Sequence, residues 1–295
     1  MNNVLLVVPV YNDWDRLESL LVSYYEALEK HEERTSLNRN KYEICVVDNG
    51  STRTTDLVER FSEVKWLQES IPGSYSARNK AISSQVADYY YFTDSDCIID
   101  IDLLTILDQI LASNKESKII GGRVKLYPKE IGNETLFEAY DLITGLDQER
   151  YISKGTAITA NLLVPRDVIK KIGAFDTSRF SGGDADFAQR AVRSGIALEF
   201  SSQLIVYHPA RSDFIDFSEK VKRITGAQCQ RLGALKSWIL IPFVFLLLAR
   251  DWRKILTSTY SFSIKIKALL VSLVIFFTRQ KYALYFLFGG KKFQR

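Results

Sequence analysis

The chain has 295 residues, 46% hydrophobic and 25% charged, a composition that supplies a full core and excludes a disordered chain. Its net charge of +4 conceals an asymmetry: residues 226–295 carry twelve Lys/Arg against the single acid Asp251, which leaves the remainder at −7. The acidic body has no basic stripe for tracking a nucleic acid, so no nucleic-acid partner is expected, whereas the basic, aromatic tail suits an anionic membrane surface. Cys45, Cys97 and Cys229 are odd in number and widely spaced, which predicts reduced thiols without a disulfide framework or zinc spacing. The start lacks a charged n-region and a cleavage site, so no secretory signal is expected.

In chain order, Val4 to Val8 is a continuous aliphatic run that predicts a strand buried on both faces, with Pro9 ending its pairing. Asn12, Asp13 and Asp15 are caps for a helix carrying Leu17, Leu20, Leu21, Tyr24 and Leu28. His31 to Lys41 reads as a solvated loop. Ile44 to Val47 predicts a second strand, closed by the turn Asp48-Asn49-Gly50-Ser51. A short helix at 56–61, a strand at 64–67 and a helix at 76–86 follow. Tyr89 to Phe92 predicts a buried aromatic strand that ends in Asp94-Ser95-Asp96. A helix at 103–111 and a strand at 119–126 come next. Residues 127–153 have too weak a periodicity to assign. Beyond them are a strand at 158–164, a helix at 166–172 stopped by Gly173, a helix opened by Gly182-Gly183-Asp184, and a strand at 204–207 ending at His208-Pro209. Alternating strands and helices predict an α/β fold with a mostly parallel sheet.

The tail holds three apolar runs, 238–249, 268–277 and 282–288, each shorter than the roughly 20 residues a spanning helix requires. Their basic and aromatic flanks predict helices lying in the headgroup region, with a tight re-entrant hairpin or an ordinary buried helical subdomain as alternatives.

Four polar clusters stand where predicted strands stop: Tyr11-Asn12-Asp13, Asp48-Asn49-Gly50, Asp94-Ser95-Asp96 and His208. Each alone is a cap or a polar turn. Strand ends sharing one rim make a ligand site by geometry. Asp13 and Asp48 are carboxylate acceptors for a base edge and a ribose. Asp96 is suited to a divalent ion bridging diphosphate oxygens, with Asp94 nearer the ribose or a second ligand position. His208 is a fair manganese ligand or, equally, a capped structural side chain. Arg78, near a helix start, offers paired donors to phosphate or sits on an exposed face. Asp184 is placed to take a proton from an attacking hydroxyl or to cap its helix, and Asp186 to hydrogen-bond a sugar or a turn.

Val8-Pro9-Val10-Tyr11-Asn12, Val46 to Ser51, Ala77-Arg78-Asn79, Asp94-Ser95-Asp96 and Gly183-Asp184-Ala185-Asp186, in this order, resemble the family 2 glycosyltransferases of GT-A fold. Residues 160–166 and 171–176 resemble the family's middle region. The resemblance implies inverting transfer of a single sugar from a nucleotide-diphosphate sugar to a hydroxyl, with Mn2+ or Mg2+ as cofactor. It implies donor contacts at Pro9, Tyr11, Asn12, Asp13, Asp48, Gly73, Arg78, Asp94 and Ser95. Sugar or acceptor contacts are implied at Asn161, Gly183 and Asp186, metal ligation at Asp96, Asp94 and His208, and catalysis by Asp184. Gly183 departs from the family's Glu-Asp-x-Asp pattern and Asn49 from its usual Asp. Gln228-Cys229-Gln230-Arg231-Leu232 lacks the Trp of processive synthases, which favours single-sugar transfer. The expected organisation is a GT-A domain at 1–225 and a basic, amphipathic, membrane-associating helical region at 226–295. A glycan or glycolipid acceptor in surface polysaccharide assembly, at the cytoplasmic face of the plasma membrane, fits that arrangement. Direct transfer to a polyprenyl phosphate and an inactive sugar-nucleotide-binding relative are the alternatives.

Overall fold

Asn3–Val10 forms strand β1, and it is buried almost throughout because its run of Val and Leu has no polar face to turn outward. The computed structural model describes residues 1–34, 40–113, 117–179 and 181–290. Helix α1 (Trp14–Arg34) buries Leu17, Leu20, Leu21, Tyr24 and Ala27 on one stripe. Then come β2 (Lys41–Asp48), α2 (Leu57–Arg60), β3 (Lys65–Gln68), α3 (Ser74–Ser84), β4 (Tyr89–Thr93), β5 (Ile98–Ile99) and α4 (Leu103–Ser113). Next are β6 (Ile119–Tyr127), α5 (Leu136–Thr144), α6 (Gln148–Ile152), β7 (Asn161–Pro165), α7 (Arg166–Ile172), α8 (Gly183–Arg193) and β8 (Leu198–Pro209). The tail forms α9 (Phe214–Lys236), a 3-10 turn at Ser237–Ile239, α10 (Leu240–Thr257) and α11 (Phe262–Leu287).

Among the described residues one eight-stranded sheet has the order β3-β2-β1-β4-β7-β6-β8-β5. Strands β1 to β4 pair in parallel, with Leu6 opposite both Ile44 and Tyr91. Strand β7 runs antiparallel to β4 and β6, and β8 antiparallel to β5, so the sheet is mixed beyond β4. The core packs Val7, Cys45, Phe92, Leu162 and Val164 of the strands against Ala77 and Ala81 of α3 and Phe187 and Ala188 of α8. Burying each large aliphatic or aromatic side chain contributes on the order of 2 kcal/mol.

Several expectations are corrected. Pro9 does not end its strand but pairs opposite Val47. In β1 the even residues bond toward β2 (Lys41 N to Asn2 O, Asn49 N to Val10 O), while Asn3 O receives Asp88 N on the β4 side. Pro9, an odd residue, therefore directs its missing N–H toward β4, whose pairing has stopped at Val7–Phe92. His31 is no loop residue: α1 continues to Arg34 and buries the imidazole edge-on to Tyr42 and 3.3 Å from Asp108. The rest of that expected loop, residues 35–39, lies outside the described residues. The weak stretch 127–153 contains α5 and α6, the former opened by a capping box in which Thr135 and Glu138 bond each other's backbone N–H. The strand expected at 158–164 begins only at Asn161.

A second compact unit comprises Leu126–Leu146, Arg179–Gly182 and Pro209–Arg295. The boundary expected after residue 225 falls inside α9. Its core joins Tyr140 of α5, Phe217 and Val221 of α9, Ile255 of α10, and Ala268, Val271 and Ile275 of α11. The runs 268–277 and 282–288, expected as separate segments, are one helix, because the polar break between them turns Arg279 inward to Asp251 at 3.0 Å. Pro242 sits in the first turn of α10, where its missing N–H has no intrahelical acceptor to lose. No helix of the described residues is long and apolar enough to cross a membrane.

Candidate active site

The ends of β1, β2 and β4 meet at one rim because these strands are parallel and in register. Strand β7 is antiparallel, so it is its first residue, Asn161, that lies opposite Thr93. After Thr93 the chain presents Asp94-Ser95-Asp96, and the end of β8 brings in His208. Ligand atoms of Asp94, Asp96 and His208 lie within 4.8 Å of one another, and His208 Nε2 is 3.4 Å from Asp96 Oδ1.

Two carboxylates and one imidazole form a donor set that fits a divalent manganese-like ion. Burial pushes the Asp96 carboxyl above its ordinary value; His208 and Arg16 pull it down, while Asp94 and Asp13 push it further up. Burial of the carboxylate thus outweighs the compensation its neighbours supply, a condition that a bound cation relieves.

The other predicted residues fall into two groups. Asp13 reaches the acidic loop, accepting from Ser95 Oγ at 3.3 Å and from Arg16 Nε at 2.7 Å. Arg78 is buried on the inner face of α3, not on an exposed one, and its Nη2 lies 2.5 Å from Asp94 Oδ1. Asp48 accepts from Ser51 N at 2.9 Å within the turn after β2. Asn12, in a left-handed conformation at φ 53°, accepts from the N–H groups of Thr52 and Arg53, and Tyr11 beside it is exposed. Asn49 explains its own departure from Asp. Its amide donates to Glu69 O and Ile71 O at 3.0 and 2.7 Å, and its oxygen accepts from Gly73 N at 2.7 Å. A carboxylate cannot donate those bonds. The loop at Gly73 (φ 122°) that opens α3 is thereby tied to β2.

Two sugar or acceptor candidates are engaged by partners within the protein. Asn161 is fully buried; it donates to Arg123 O and Leu204 O and accepts from Tyr91 Oη, bracing the sheet rather than facing a ligand. Asp186 accepts from Arg190 Nε at 3.0 Å, and Arg190 also binds the carbonyls of Ile172 and Ala174, which secures α8 to the turn after α7.

The residue missed by sequence reasoning is Tyr75. Its hydroxyl accepts from Gly183 N at 3.0 Å and donates to Asp184 Oδ1 at 3.2 Å. A Cβ at Gly183 would stand 2.7 Å from the Tyr75 ring, so the Tyr occupies the space that a side chain at 183 would need. The absence of the family's Glu at 183 was the available signal. Burial pushes the Tyr75 phenol up to about 12, so it remains a donor at neutral pH. Burial also raises the Asp184 carboxyl, and Asp94 adds to this; the Ala185 N–H, Arg78 and the Tyr75 hydroxyl offset it only in part. A carboxylate at the rim with a raised proton affinity is suited to accept a proton from a substrate hydroxyl.

Residues 5–173 match the family Glycosyl transferase family 2. The chain is 30% identical over 264 residues to a curated relative, Glycosyltransferase AglE of Haloferax volcanii, covering 82% of this chain and 81% of that one. It is similar in fold to residues 1–349 of S. aureus TarS, with TM-score 0.54 and 17% identity over 96% of this chain and 74% of that chain. It is also similar to the mannosyltransferase PcManGT of Pyrobaculum calidifontis in complex with GDP-Man and Mn2+, with TM-score 0.53 and 16% identity over 98% and 74% of the two chains. These structures bear out the GT-A fold, and the match over more than half of the sequence establishes that the chain is a glycosyltransferase belonging to glycosyl transferase family 2.

Proposed function

We propose that this glycosyltransferase transfers a single sugar, with inversion, from a nucleotide-diphosphate sugar to a hydroxyl of a lipid-linked glycan acceptor. The observation that carries the reading is the pairing of two acids and a histidine (Asp94, Asp96 and His208) with a separately held carboxylate, Asp184. Asp94, Asp96 and His208 would hold a divalent ion. When bound, that ion supplies positive charge against the leaving diphosphate, the type of electrostatic contribution that is usually largest. Arg78, whose Nε is buried without a hydrogen-bond partner among the described residues, orients Asp94 and faces the same anionic region. Asp13 and Asp48 fix the nucleoside end. Asp184 takes the acceptor's proton, and Tyr75 holds that carboxylate in position.

Asp184 favours a hydroxyl acceptor, because an acceptor that is already anionic needs no base. TarS has been solved with UDP and with UDP-GlcNAc, and PcManGT with GDP-Man and Mn2+, which supports a sugar nucleotide as donor. The tail presents Trp238, Phe245, Leu246, Leu270 and Phe277 to solvent among basic residues. That surface supports peripheral attachment at the cytoplasmic face of a plasma membrane and a role in surface polysaccharide assembly. A thermal-shift panel of nucleotide sugars tests the donor and metal together. The melting midpoint should rise with one sugar nucleotide in the presence of Mn2+ and much less without it. A protein indifferent to every nucleotide sugar under both conditions would sink the reading.

A further inference from the structure

The helical unit holds a second polar cluster that sugar transfer at the rim leaves unused. Asp141 on α5 is buried, and its Oδ2 accepts from the backbone N–H of Arg211 at 3.0 Å and from its guanidinium at 3.2 Å. Lys220 Nζ on α9 lies 3.8 Å from Asp141 Oδ1. The neighbouring residue, Tyr140, donates to Asp251 at 2.7 Å, and Asp251 also holds Arg250 and Arg279. Arg223 stands three residues after Lys220, one turn along α9, and is exposed.

The arrangement is layered. Both carboxylates are 1% exposed, whereas the side chains of Arg211, Lys220 and Arg279 are 21%, 22% and 18% exposed. The two acids are buried, and the cationic side chains that hold them each keep only part of their surface exposed. Burial, and then Arg211, Arg223 and Arg279, bring the Lys220 ammonium down to about 8 against the pull of Asp141. Positive charge is therefore gathered in excess of the anions that hold it, in a setting where water screens it poorly. Two features suit this cluster to a phosphate that carries a hydrocarbon. Guanidinium forks match phosphate oxygens in pairs and a lysine adds a point charge. Exposed Phe214, Ile215 and Ile224 on the same helix provide apolar surface for a hydrocarbon attached to the phosphate.

We propose that Arg211, Lys220, Arg223 and Arg279 bind a phosphate group, and that its source is the phosphate or diphosphate of the acceptor's lipid carrier. This rests on the lipid-linked acceptor reading above. The site would hold the acceptor by its carrier through contacts that do not depend on the glycan.

The test uses the full chain in neutral detergent. Calorimetric titrations are run with farnesyl phosphate, a short polyprenyl phosphate, and with inorganic phosphate. The variants are Lys220→Gln/Arg223→Gln, the surface change Arg223→Gln alone, and the charge-matched Lys236→Gln/Arg253→Gln. Farnesyl phosphate should bind at least tenfold more weakly to the first double variant, severalfold more weakly to Arg223→Gln, and within twofold of normal to the charge-matched pair. Tighter binding of farnesyl phosphate than of inorganic phosphate assigns the site to a lipid carrier, and equal binding assigns it to the free anion. Unchanged affinity in both Arg223 variants, or equal weakening in the charge-matched pair, overturns the site. Release of nucleotide diphosphate from a sugar nucleotide by the unaltered protein, measured in parallel, shows separately whether the transferase reading fails.

Discussion

Both units of this protein bury carboxylates, and they treat them in opposite ways. In the helical unit, burial pushes Asp251 up, but Arg279, Arg250 and the Tyr140 hydroxyl overcome it and hold the carboxyl below its ordinary value. At the sheet rim, burial raises Asp184 and Asp96, and the cations beside them do not restore the balance. An acid whose partners are complete is a structural element. An acid left undercompensated at an open rim marks a place where substrate or cation completes the set. The distinction depends on partners brought from afar: Arg279 reaches Asp251 across 28 residues, and Tyr75 reaches Asp184 across 109.

This contrast can be broken most sharply at the rim. Replacing Asp96 with Ala should lower sugar transfer by about 10²–10³-fold and abolish its dependence on Mn2+, read in a metal titration of the transfer rate. A variant that retains the full metal response would remove Asp96 from the ligand set. The converse change in the helical unit, Asp251→Ala, strands Arg250 and Arg279 and should cost about 3 kcal/mol in denaturant unfolding. Unchanged stability there would mean that the network is solvent-compensated and the comparison is void. Tyr75→Phe keeps the ring but loses the hydroxyl between Gly183 and Asp184. Turnover should fall roughly 10–100-fold, as for supporting residues of other sites, with the donor KM little changed. Gly183→Ala should cost about 1–3 kcal/mol, because the new methyl presses on a Tyr75 ring already stacked on Phe175.

The pH dependence follows from the signs. A carboxyl raised in the folded state binds its proton more tightly there than when unfolded. Asp184 therefore withdraws stability as pH rises through its raised value. Asp251, held low, contributes stability above the ordinary carboxyl range and loses it as pH falls through its own lowered value. The difference in stability between wild type and Asp184→Asn should thus shrink on acidification below the Asp184 value.

Much of the rim was legible because strand ends advertise themselves. An aromatic run stopping at Asp94-Ser95-Asp96 is readable from adjacent residues, and Asp13 and Arg78 came with their own strand and helix. Asn161 misled, since an amide at a strand start looks the same whether it faces a ligand or ties Arg123 O to Leu204 O. Asp186 carries the same ambiguity, because its partner Arg190 is an ordinary helical neighbour. Tyr75 was invisible because only the packing of α3 against α8 gives its hydroxyl a task. In the tail the short apolar runs look separate in the sequence, whereas α11 joins two of them by turning Arg279 inward to an acid on another helix.

Asp184 is the residue on which the proposed sugar transfer depends most directly, and one variant measured in two ways tests it. Asp184→Asn should lower transfer by about 10²–10⁴-fold while binding the sugar nucleotide as tightly as wild type, and at neutral pH it should unfold at a higher denaturant concentration. Near-normal transfer, or a fold weakened as it is by Asp251→Ala, would contradict the claim that Asp184 is an undercompensated base held for the acceptor hydroxyl.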